Sequence, residues 1–194
     1  MNSLRFNPST KWNDDQGNRY FLGFMELIFD IFYDLKNTKG KKDLKMLEIG
    51  SYKGESTFLF ASSGMFKEIH CIDPYEGAEE ANNILQENWG NVKQEFITNT
   101  RYFNNITLHK DYSYNIYNNF PDQYFDFIYI DACHEYEDVK KDIQLYLPKT
   151  NHLIGGHDYQ KEWPGVVKAV DEILGTPHKI YGDDSFIINT QYIG

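Results

Sequence analysis

Residues 46–56 read Met-Leu-Glu-Ile-Gly-Ser-Tyr-Lys-Gly-Glu-Ser. Met46, Leu47 and Ile49 form a short apolar run, the pattern of a strand buried on both faces. Gly50 and Gly54 bracket a turn, and Ser56-Thr57-Phe58-Leu59-Phe60-Ala61 starts a helical pattern. A strand, a glycine turn and a helix bring a ligand close to backbone N–H groups at the helix N-terminus. Glu48 stands out, because a carboxylate near the end of a buried strand is costly unless something pairs with it. Two readings follow: an acid that reaches water, or an acid aimed at a cationic or hydroxyl-rich ligand.

The rest of the chain repeats the alternation. Strands are expected at about 44–49, 67–73, 105–110, 124–131 and 153–156, with helices between them. A helix is expected before the first strand, from a cap at Asn18 to about Lys36, with Leu22, Met25, Phe29 and Phe32 on one face. It reads as an accessory helix covering the sheet edge. Gly64 is placed to end the helix after the first strand. Pro148 ends the helix carrying Val139, Ile143 and Tyr146, and Trp163-Pro164 opens the last helix. His178–Tyr181 and Phe186–Asn189 flank Gly182-Asp183-Asp184-Ser185, a hairpin signal. Strands alternating with helices imply a parallel sheet with helices on both faces. We therefore expect an arm and accessory helix over 1–43 and one α/β domain over 44–194.

Composition narrows the function. Hydrophobic residues make up 41% and charged residues 25%, as in a globular domain. The formal net charge of −10 makes nucleic acid and anionic membranes poor partners. No apolar run reaches a membrane span, and the polar start lacks a leader's apolar region. Cys71 and Cys133 read as free thiols, which points to the cytoplasm.

The first turn separates nucleotide classes. The Gly-x-x-x-x-Gly-Lys-Ser/Thr phosphate loop is absent. The dinucleotide fingerprint would need glycine where Tyr52 stands, so a pyrophosphate could not approach the backbone. Asp73 closes the second strand, where an acid can hydrogen-bond ribose hydroxyls. The alternative is that Asp73-Pro74 merely starts a turn. Asp131, His134, His157 and Asp158 follow the fourth and fifth strands, where the ligand crevice of an open parallel sheet lies.

Glu48, Gly50 and Gly54 resemble motif I of class I S-adenosylmethionine-dependent methyltransferases, with Tyr52 departing from the middle glycine. Ile-Asp-Ala-Cys-His-Glu-Tyr-Glu-Asp-Val at 130–139 and Gly-Gly-His-Asp-Tyr at 155–159 are similar to one small-molecule O-methyltransferase-like branch, methyltransferase family 24. With Ile72-Asp73 the resemblance spans roughly 44–174. It implies a Rossmann-like fold with a mostly parallel seven-stranded sheet and a C-terminal antiparallel hairpin strand. It also implies S-adenosylmethionine held by Glu48, Gly50, Ser51, Tyr52, Gly54, Ser56, Asp73, Asp111, Tyr112 and Asp131. The reaction it implies is methylation of a hydroxyl on a small molecule or sugar, with His134, Asp131 and His157 catalytic. His134 suits a general base. A divalent ion on Asp131, Asp158 and His157 is the competing way to ionise the hydroxyl. His157 stands where some relatives carry a second acid, which suits softer metals than magnesium. The rival functions are a nicotinamide-dependent oxidoreductase, which Tyr52 opposes, and a non-catalytic nucleotide-binding module. A homodimer is the expected assembly.

Overall fold

The computed structural model describes residues 17–40, 43–76 and 88–193. The arm at 1–16 lies outside the described residues. Among the described residues, twelve α-helices and β-strands follow in order: α1 (Gly17–Lys39), β1 (Leu44–Ile49), α2 (Glu55–Ser62), β2 (Phe66–Ile72), α3 (Trp89–Thr100), β3 (Ile106–His109), α4 (Ser113–Ile116), β4 (Phe125–Ile130), α5 (Tyr136–Tyr146), β5 (Thr150–Gly156), α6 (Pro164–Ile173) and β6 (Phe186–Asn189). The sheet order is β3-β2-β1-β4-β5-β6. Every pairing is parallel except β5 with β6. The order reverses at β1 and β4, which leaves a crevice beyond their C-terminal ends.

Register aligns those ends. Ile49 faces Ile72 on β2 and Ile130 on β4, and Ile130 faces Gly156 on β5. One further ladder bond then fixes the next residue on each strand. Gly50 N–H donates to Ile72 O at 2.9 Å, and Asp131 N–H to Ile49 O at 2.8 Å. His157 N–H donates to Ile130 O, and Asp73 N–H to His109 O, both at 3.1 Å. Four strands thus deliver Gly50, Asp73, Asp131 and His157 to one edge.

Two apolar layers bury the strands. One joins α1, α2 and α3 to the sheet through Phe24, Leu27, Ile31, Phe60, Phe96 and Tyr129. The other joins α5 and α6 through Val139, Ile143, Val166 and Val170. In α2, Thr57 through Ala61 are all buried, as befits a helix that is apolar nearly all round.

The structure corrects two expectations about elements. First, α1 packs on the sheet face through Phe24, Leu27, Ile28, Ile31 and Leu35, whereas Leu22, Met25, Phe29 and Phe32 face outward. Both stripes are apolar, and the wider one takes the core. Second, six strands form among the described residues rather than seven. The first hairpin arm makes only an antiparallel bridge between Ile180 and Phe186. Its side chains are drawn to α1 instead: Lys179 Nζ donates to Glu26 at 2.8 Å and Asp30 at 2.6 Å, and Tyr181 OH donates to Asp30 at 2.9 Å.

That attachment also steadies the crevice. A Cβ on Gly23 would come within 2.4 Å of Asp183 N, so α1 lies directly against the turn before β6. The turn's Ser185 Oγ meets Tyr129 OH at 2.8 Å and donates to Asp183 Oδ2 at 2.7 Å. Asp184 O accepts from Tyr159 N–H at 3.0 Å, which ties down the loop after β5.

Candidate functional site

The first turn is built from inside. Glu48 is wholly buried, and Ser56 Oγ and Thr57 Oγ1 of α2 both donate to its carboxylate. Burial raises its pKa to about 7, against the lowering effect of those hydroxyls. Glu48 therefore holds the turn onto α2 and does not reach into the crevice. Thr57 was not singled out from the sequence. The available signal was two adjacent hydroxyls in the first turn of the helix after an acidic strand end.

Gly50 has φ +86°, and a Cβ there would lie 1.9 Å from Asp131 O. Its bare Cα lets the β1 turn pass the end of β4. Gly54, at φ +77°, precedes α2. Between them, Ser51 is 2% exposed with Oγ 3.4 Å from Tyr75 OH. Tyr52 adopts φ +44° and turns its ring edge-on to Trp89 at 6.1 Å.

Asp73 ties this turn to the end of β2. Its Oδ2 accepts from Tyr52 N–H at 2.8 Å and its Oδ1 from Tyr75 N–H at 2.7 Å. Burial raises its pKa, and the two amides oppose that. Of the two readings of Asp73-Pro74, these bonds show the turn, with the carboxylate accepting both of its amides. Asp111 Oδ1 accepts from Tyr112 N–H at 2.8 Å and Asn115 Nδ2 at 2.7 Å, which ties the loop after β3 to the side chain of Asn115 on α4. Tyr112 OH donates to Glu76 at 3.1 Å, which links the loops after β3 and β2. Asp142 also escaped sequence reasoning. It is buried on α5 and accepts from Ser113 Oγ at 2.5 Å, which fixes the base of that loop.

The second cluster sits after β4 and β5. Asp158 Oδ2 lies 2.9 Å from His134 Nε2 and 3.0 Å from His157 Nδ1. Asp158 adopts φ +59°, a left-handed conformation that Asp tolerates better than most residues. The His134 ring stacks on Trp163 with centroids 4.0 Å apart and planes 21° apart. His157 Nδ1 is 4.0 Å from Asp131 Oδ1. One donor atom each from Asp131, His134 and Asp158 lie within 4.8 Å of one another, a set that could hold a cation. His134 completes that set, and His157 Nδ1 lies beside the same two acids. A crevice lined by Asp131, His134, His157 and Asp158 continues down to Val139 and Val166.

The methyltransferase domain family profile matches residues 47–159, from the first turn through the loop after β5. The chain belongs to that methyltransferase family. Protein R132 of Acanthamoeba polyphaga mimivirus, which is uncharacterised, is 32% identical over 161 residues, 76% of this chain and 67% of that protein. A Corynebacterium glutamicum protein of known structure has a TM-score of 0.59 at 10% identity, covering 93% of this chain and 88% of that one. A Staphylococcus aureus structure provisionally named a caffeoyl-CoA O-methyltransferase has a TM-score of 0.51 at 20% identity, over 84% and 82% of the two chains. These two structures share the fold.

Membership in the methyltransferase family implies S-adenosylmethionine as the methyl donor. The residues present fit such a group. Asp73 is an acceptor held rigidly by two amides, and the Gly50–Gly54 turn opens α2 beside it. The methyltransferase fold also explains why both clusters share one edge: they flank the β1/β4 reversal.

Proposed function

We propose that this methyltransferase methylates a hydroxyl oxygen of a small molecule, with His134 as the base that accepts the hydroxyl proton. The supporting observation is the 2.9 Å contact between His134 Nε2 and Asp158 Oδ2 at the end of the adjacent strand. With the Nε2 proton directed at Asp158, Nδ1 is the basic nitrogen, and the carboxylate stabilises the imidazolium that forms. Trp163 holds the ring by stacking and favours its charged form. Asp131 lies beside the pair and orients the acceptor.

S-Adenosylmethionine supplies a methyl group already activated on a sulfonium, so the protein's tasks are alignment and proton removal. Asp73 would hold the ribose, the loop from Asp111 to Tyr112 the adenine side, and the turn from Ser51 to Gly54 the remainder. Glu48, Gly50 and Ser56 keep that turn in shape. The net charge of −10 favours a small acceptor over nucleic acid.

A labelled-methyl assay against a panel of hydroxyl compounds tests the reading. His134→Gln should lower turnover by about 10²–10⁴ while product-cofactor affinity holds. Full turnover in that variant would contradict the base role. The second reading places a divalent ion on Asp131, His134 and Asp158, given their clustered donor atoms. Chelator would then abolish activity, and a divalent ion suited to mixed imidazole and carboxylate ligands, such as manganese, iron or zinc, would restore it. Under the base reading, activity survives chelation.

A further inference from the structure

The outward stripe of α1 carries Leu22, Met25, Phe29, Phe32 and Tyr33, exposed by 65%, 39%, 63%, 37% and 62%. Spacings of three, four and three residues place Leu22, Met25, Phe29 and Phe32 in one line along a 23-residue helix, with Tyr33 one turn beyond Phe29 at its side. Together they present on the order of 500 Å² of apolar surface, toward the upper end of what monomers expose. A stable interface takes about 800 Å² per partner, roughly 65% of it apolar in homodimers, and the stripe is close to that apolar share along a helix roughly 35 Å long.

We infer that this face pairs with the same face of a second copy, antiparallel, about a twofold axis near Leu27. The stripe is self-complementary in that arrangement. Met25 meets Phe29 of the second copy, and Leu22 meets Phe32, so each aliphatic side chain opposes an aromatic one. A twofold contact of this kind closes on itself and yields a dimer rather than a filament. The five stripe side chains are uncharged, Lys36 Nζ lies over the Phe32 ring at 4.6 Å at one end, and Lys179 partly neutralises the acids Glu26 and Asp30 on the flank. Those acids also make an anionic membrane a poor occupant, since membrane-surface helices carry Lys and Arg on their polar faces. The inner face of α1 stays with its own subunit, held by the core and by Asp34 against His152 at 2.5 Å.

Sedimentation velocity of the full chain, from low to high micromolar, reads the assembly directly. The wild type should be a dimer. Phe29→Glu should weaken the dimer at least a hundredfold and give a monomer with unchanged circular dichroism. Leu22→Glu, at the most exposed position of the stripe, makes the same decision should Phe29→Glu fail to fold. A wild type that is monomeric throughout overturns the inference, as it would if another segment covered the face. A dimer that persists in folded variants overturns it too, because its interface then lies elsewhere.

Discussion

Single side chains at the crevice serve the fold before they serve a ligand. Glu48 was legible as an odd acid at a strand end, but its partners were not, because Ser56 and Thr57 come into reach only once α2 packs. Its buried carboxyl has a folded pKa near 7, above the ordinary value. A raised carboxyl contributes stability that is present below the unfolded pKa and lost as pH rises through the folded one. Glu48→Gln should therefore gain stability relative to wild type between about pH 5 and pH 8, read as the difference in melting temperature across that range. A constant difference would mean that Glu48 does not titrate there. The glycine turn was legible as a turn, but the need for Gly50 comes from the Asp131 carbonyl on another strand. Gly50→Ala should cost more than about 2 kcal/mol in urea unfolding, through left-handed strain and the clash together. An unchanged midpoint would show that the two turns are not locked.

Among elements, the alternation of strands and helices was readable because buried parallel strands are continuous apolar runs, as Phe125–Ile130 shows. The orientation of α1 was not readable, since periodicity marks two apolar stripes and only packing chooses between them. The first hairpin arm failed as a strand because Lys179 and Tyr181 bond to α1, which no local pattern records. Between β2 and β3 the sheet holds a histidine pair, His70 Nδ1 and His109 Nε2 at 2.9 Å with nearly parallel rings. Burial, and then its partner's charge, lowers the pKa of His70, and burial lowers that of His109. Stability from lowered histidines is present above the unfolded value, about 6.5, and is lost as pH falls through the folded values. His109→Phe should flatten the loss of stability between about pH 6.5 and pH 5, followed by thermal melts. A slope equal to wild type would place the acid sensitivity elsewhere.

For the whole molecule, the site's location was legible because strand C-termini of a doubly wound sheet share one edge, and Asp73, Asp131 and His157 end three of its strands. What each side chain does there was less legible. Asp158 reaches His134 through a left-handed backbone at 158, and Trp163 stacks on His134 from the start of α6. No described helix is long and apolar enough to cross a membrane. We propose that this edge holds S-adenosylmethionine, with Asp73 as a principal contact. Isothermal titration calorimetry of wild type and Asp73→Asn with S-adenosylhomocysteine and NADH tests it directly. The asparagine offers one acceptor oxygen where two amides now donate. Wild type should bind S-adenosylhomocysteine at one site and not NADH, and Asp73→Asn should lose about 1–3 kcal/mol of that binding. Preference for NADH, or undiminished S-adenosylhomocysteine binding by folded Asp73→Asn, would contradict the account.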